Sequence, residues 1–361
     1  MADLYWVGGT DDWNGTAGLK WSLLSGGVGG APEPTAADDV HFDGPSGAVT
    51  VTVATSTRPC RSINFTGFTG TFAGSVGLDI GDATVGHFTL GSGMTWTNTG
   101  LLTFVSTTGT NNLTFNGVTI TATLRFNGAA GIWSFQDALT QVTGNPGGEN
   151  IRVGQGTLNT NGYTITTDAM FRHTALDAGY TAVTNLGASI INITSYNTVF
   201  QVNIVFGTST FNAETSTINI TDASANVKTF TGGGATYYNV AYTGGGSGRC
   251  DISGSNTFNI LTLGAPKSYR IAAGTTQTIL TSFVLQSSSG NVITIDTNSG
   301  GSAATISKAA GTVIADYLSL KDSAATGGAT FYAGVNSTNV SGNSGWIFAG
   351  PPKTDLMSFF D

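Results

Sequence analysis

Asn112-Leu113-Thr114-Phe115-Asn116 alternates polar and apolar side chains, and Gly117 follows it. Successive side chains of an extended strand point to opposite faces, so Leu113 and Phe115 can enter a core while Asn and Thr face outward. The same device recurs before and after it. Val49-Thr50-Val51-Thr52-Val53, Ser62-Ile63-Asn64-Phe65, His87-Phe88-Thr89-Leu90 and Thr123-Leu124-Arg125-Phe126 repeat it. So do Ile190-Ile191-Asn192-Ile193, Thr217-Ile218-Asn219-Ile220, Phe258-Asn259-Ile260-Leu261 and Val292-Ile293-Thr294-Ile295. Runs of about four to eight residues with period two, each followed by Gly, Asn, Ser or Asp, read as strands and turns. No helical period interrupts them.

Composition agrees. Only 9% of the 361 residues are charged, 40% are hydrophobic and 52 are Gly, so Thr, Ser, Asn and the backbone must supply most of the polar surface. Thr, Val, Ile, Phe and Tyr suit a pleated, half-buried surface, and Gly and Asn suit turns. Two all-β architectures fit. Tandem β-sandwich or jelly-roll domains would separate the strands with hairpins and linkers, whereas a β-solenoid, like a parallel β-helix, would coil them into rungs of roughly 20 to 25 residues. No Pro-rich or charged linker breaks residues 40–331, which favours an elongated β-solenoid with capped ends. Asn fits rung corners, because it tolerates the left-handed backbone, and stacked rungs align like side chains into ladders. Gly144-Asn145-Pro146-Gly147-Gly148 and Gly232-Gly233-Gly234 are expected to be loops leaving the rod.

An open terminal rung is a bare sheet edge and needs a cap. Residues 1–39 hold Tyr5, Trp6, Trp13 and Trp21 in a Gly-rich segment and are expected to form an N-terminal cap or attachment segment. Residues 332–350, with Trp346, Ile347 and Phe348, are expected to close the last rung. Pro351-Pro352 is expected to detach residues 351–361, where Leu356, Met357, Phe359 and Phe360 would make an apolar docking peptide for another subunit or a neighbouring copy, the alternative being a tail folded back on the last rung.

The terminal segments carry a family resemblance. Tyr5-Trp6-Val7-Gly8-Gly9-Thr10 with Trp13, Trp21-Ser22, and the stretch from Pro34 to Asp43 resemble an N-terminal module of phage virion proteins and bacterial surface β-helix proteins. Asp316-Tyr317-Leu318-Ser319-Leu320-Lys321-Asp322-Ser323, Ala325-Thr326-Gly327-Gly328-Ala329-Thr330-Phe331-Tyr332-Ala333-Gly334 and Asn343-Ser344-Gly345-Trp346-Ile347-Phe348 are similar to a C-terminal module of phage structural proteins. The resemblance implies a non-enzymatic bacteriophage structural protein, as a capsid decoration, tail fibre or baseplate component. It further implies a homotrimer touching other virion subunits, and brings no catalytic residues with it. Alternatives are a host-surface glycan-binding adhesin or a tailspike-like polysaccharide depolymerase. The expected location is the virion, with synthesis in the host cytoplasm because the first residues lack a signal peptide's pattern, or else the bacterial cell surface.

Other functions find little support in the residues. The net charge is −8, from 13 Lys+Arg against 21 Asp+Glu, and the basic residues are scattered along the chain. A nucleic-acid partner is not expected. Nor is membrane insertion, because no apolar stretch is long enough for a spanning helix. A depolymerase would need two carboxylates converging in a groove. Asp11/Asp12, Asp38/Asp39/Asp43 and Asp79/Asp82 are close in sequence but suit turn capping, and a calcium site at Asp38, Asp39 and Asp43 matches no defensible ligand spacing. His41, His87 and His173 are expected to be satisfied, partly buried imidazoles. Cys60 and Cys250 are expected to be buried free thiols. No catalytic residue, cofactor or metal site is assigned.

Overall fold

In the computed structural model the described residues are 1–14, 19–145, 148–175, 177, 179–203, 207–264 and 267–352. They form a β-solenoid of about 12 turns that is nearly all β. One short 3-10 turn, Gly44–Ser46, is the only helical element among them.

Each turn lays down three strand segments, and each segment pairs in parallel with its counterpart one turn away. Stacking therefore produces three columns. In the first, Leu78, Leu102, Leu124, Ile151, Phe171, Phe200, Phe230, Ile252 and Ile271 lie in register one above another. In the second, the file is Leu4, Val40, Ile63, Phe88, Leu113 and Phe135. The third holds Val51, Phe72 and Trp96, and further on Ile165, Ile191, Ile218, Val240, Leu261 and Phe283. All of these side chains are buried, so the inward positions merge into one continuous core. Aromatic rings stack along it: Phe171, Phe200 and Phe230 lie at successive centroid distances of 5.3 Å. At about 4.8 Å per turn the rod is roughly 58 Å tall.

Rung length varies more than the sequence suggests. Ile252 stacks on Ile271, 19 residues on, while Phe200 stacks on Phe230, 30 residues on. The strands keep their register, and the corners absorb the difference. Some corners need no loop at all: Leu124–Phe135 and Glu149–Asn159 each bend through a corner as single strands and serve two columns. Glycine permits this. A Cβ on Gly128 would lie 1.8 Å from the carbonyl oxygen of Ser106, and one on Gly156, whose φ is +80°, would lie 2.4 Å from that of Gly128.

Two expectations need correction. Gly232-Gly233-Gly234 does not leave the rod: Gly232 is buried, and its Cβ position is 2.1 Å from the Asn256 side chain. The run is a tight corner held by the next rung. Of the other expected loop, residues 146 and 147 lie outside the described residues. Polar residues also do not all face outward. Asn98, Asn111, Asn150, Gln141, Asn256 and Gln277 are buried, mostly donating to backbone carbonyls or to each other, as Asn256 Nδ2 does to Gln277 Oε1 at 3.0 Å. Amides at corners satisfy carbonyls that the strand ladders leave over.

Outward asparagines do stack. Asn185 donates to Asn159 and Asn212 donates to Asn185, each at 2.7 Å, and Asn219 donates to Asn192 at 2.9 Å.

Candidate functional site

The two ends are built differently. At the start, Asp3–Trp6 enters the second column parallel to Asp39–His41, while Trp21–Ser22 doubles back antiparallel to it. This excursion carries Trp6, Trp13 and Trp21 over the first rung, where all three are buried with Phe42. Ring centroids are 5.0 Å apart for Trp13 and Trp21, and 5.2 Å for Trp6 and Trp21. Tyr5 stands apart from this cluster. Its neighbour Trp6 points inward, so strand alternation sends Tyr5 outward, where its ring stacks on His41 at 4.6 Å.

At the far end, Trp346 packs edge-on against Phe331 at 5.2 Å and donates from Nε1 to Ser323 Oγ at 3.1 Å. Phe348 is half-buried against the core, whereas Ile347 faces solvent. The register Ile314, Tyr332, Ile347 makes an outward file on the third column. Ile314 is 61% exposed, Ile347 40% and nearby Val335 71%. Ile314 and Val335 border a depression of about 380 Å³ that Gly350 and Pro351 also line. Leu356, Met357, Phe359 and Phe360 lie outside the described residues.

Most of the carboxylates singled out in the sequence are engaged locally. Asp11 pairs with Lys20, and Asp39 pairs with Arg61. Asp43 caps the 3-10 turn through Ser46, and Asp82 accepts from the amides of Thr84 and Val85 at 2.6 and 2.9 Å. Burial opposes ionisation of Asp38, yet donors from Thr35 and the Ala2 amide hold its carboxyl below the usual range. Asp3 and Asp39 do become neighbours in adjacent rungs, but the Asp3 carboxylate accepts from His41 Nε2 at 2.9 Å while Asp39 faces Arg61.

The histidines divide. His41 and His87 border a polar depression of about 370 Å³ with Asn64, Thr89 and Asn112, and His87 Nδ1 accepts from the Asn112 amide at 3.0 Å. His173 is fully buried rather than partly so, because its strand position points inward. Its Nδ1 meets Thr184 Oγ1 at 2.8 Å, its Nε2 has no partner, and burial lowers its pKa to about 4. Cys60 and Cys250 are both buried and free. Burial raises both thiol constants, that of Cys250 to about 11.

A second apolar-edged depression, about 460 Å³, lies beside Tyr238, Asn259, Leu280 and Glu214. It contains a single carboxylate.

One grouping escaped the sequence reading. Arg125, Arg152 and Arg172, which lie far apart in the chain, are register partners in three consecutive rungs of the first column. Scattered basic residues thus become a basic file. Only rung length could have signalled it, and that length varies.

Comparison of the chain with protein-family models, with curated proteins and with solved structures gives no match.

Proposed function

We propose that this chain is a structural rod on the outside of a bacteriophage particle, as a capsid decoration, fibre or baseplate component, working as a homotrimer. The observation that carries the reading is the outward apolar file of exposed Ile314, half-buried Tyr332 and exposed Ile347, with exposed Val335, beside Gly350 and Pro351 at the last rung. A continuous laddered core supplies stiffness, and an unpartnered apolar patch at one end is what a subunit contact uses. Burying each such side chain contributes about 1.5 to 3 kcal/mol before ordering costs, and symmetric copies add their weak contacts. The resemblance of both terminal segments to phage virion modules supports the same reading. The proposal assigns no reaction to the protein.

Purified particles provide the test. The chain is expected among their mass-spectrometric components, and light scattering of the isolated protein should give three times the chain mass. Truncation after Gly350 should leave a folded rod that no longer joins the particle or the trimer. A monomer absent from particles would refute the proposal.

A further inference from the structure

We propose that the file of Arg125, Arg152 and Arg172 binds the acidic groups of a sparsely charged polysaccharide, one carrying carboxylates such as uronic acids. The three side chains project outward from equivalent positions, one rung of about 4.8 Å apart. Two of the three guanidinium groups share a single carboxylate, and the third has none. Glu149 lies 2.9 Å from Arg172 and 3.7 Å from Arg152, and no ion pair reaches Arg125 among the described residues. The file is therefore left with an excess of positive charge, in a chain with only 13 basic residues. It is also short of acceptors: among the described residues no hydrogen bond reaches the Arg125 side chain, while the Nε atoms of Arg125 and Arg152 are turned inward and leave the outer guanidinium nitrogens as the accessible donors. Like charges held side by side and half-shielded from water repel each other, and an oxyanion relieves that repulsion while accepting from the outer guanidinium N–H groups. Burial lowers the pKa of Arg152, and its two arginine neighbours push it the same way.

The surroundings select the polymer. Along the same file Thr103 precedes Arg125 and Gln201 follows Arg172, both neutral and able to bond hydroxyl groups. Beyond Thr103 comes Asp79. A dense polyphosphate continuing along the rod would meet that carboxylate on a protein of net charge −8. A glycan with occasional carboxylates matches a short basic segment between hydroxyl- and amide-bearing positions.

The test titrates the full chain with hyaluronate, which carries one carboxylate per disaccharide, with dextran as a neutral polymer, inorganic sulfate as a free oxyanion and duplex DNA as a dense polyanion. Hyaluronate is expected to bind, more weakly as salt rises, and dextran is not. Arg125→Gln should weaken binding about tenfold or more, the loss of one charge-assisted contact. Gln already occupies this file at position 201, so the variant is expected to keep its circular dichroism spectrum. Lys321→Gln, which removes one exposed charge elsewhere, should bind as the parent does. Should Arg125→Gln fail to fold, Arg125→Lys replaces it, and a severalfold loss is expected because lysine lacks the planar fork. Any of four results overturns the proposal: no hyaluronate binding, dextran binding equally, sulfate or DNA binding more tightly, or equal losses in the position 125 and 321 variants.

Discussion

His173 shows what a single inward position does in a rod of this kind. Its ring is dry and neutral, with a pKa near 4 against an ordinary 6.5, because burial disfavours the charged form. In the unfolded chain the ring binds its proton near pH 6.5, so between 6.5 and 4 unfolding takes up a proton. His173 therefore leaves stability intact above about pH 6.5 and erodes it as pH falls toward 4, by on the order of 3 kcal/mol in total. His173→Phe is expected to flatten that part of the profile of denaturation midpoint against pH, whatever it does to stability at neutral pH. An unchanged slope would show that the ring is not the titrating group. Asn185 is a residue of the opposite kind, outward and paired on both sides. Asn185→Ala removes two amide contacts at half-exposed positions and should cost about 1 to 2 kcal/mol in a urea titration. The alternation of apolar and polar residues made both directions legible for most strands, and Trp6 with Tyr5 followed it. His173 was misjudged in degree because burial within a strand depends on which rungs lie above and below.

Strands and corners obey different chemistry. A strand is specified by its own alternation, so every strand quoted from the sequence has a counterpart in the structure. A corner is specified by the rung beneath it, and its length follows no period. That is why Gly232-Gly233-Gly234 looked like a free loop, and why Arg125, Arg152 and Arg172 looked scattered. Their meeting requires adding up corner lengths that the residues do not announce. The bent strand Leu124–Phe135 makes the dependence testable. Any side chain at Gly128 would strike the carbonyl of Ser106, which is backbone and cannot swing aside. Gly128→Val is expected to destabilise the rod by more than 3 kcal/mol, while Gly117→Ala, at an exposed turn with open space but φ of +75°, should cost only about 1 kcal/mol. Chemical denaturation of the two variants side by side decides it. Equal losses would mean the corner can open.

For the whole molecule, stability is the sum of rungs and of the contacts between neighbouring rungs, and the ends bear the cost of having one neighbour. Removing residues 1–39 would bare Val40, now stacked on Leu4, and Phe42, now packed against three tryptophans, and the product is expected to aggregate. Ending the chain at Thr297 bares only the rung formed by Ile293–Thr297, and circular dichroism should remain that of a β protein with a lower melting temperature. The reverse outcome would place the stabilising cap at the other end. Because stacked residues lie 19 to 30 positions apart along most of the rod, and 36 to 40 apart in the first turn, each strand's partner follows within a few tens of residues. Each new rung finds its template already laid down as the chain leaves the ribosome, starting from the tryptophan-lined first turn. The rod can thus be wound in the order in which it is translated, and a nascent chain stalled after Tyr242 should already protect its first rungs from protease.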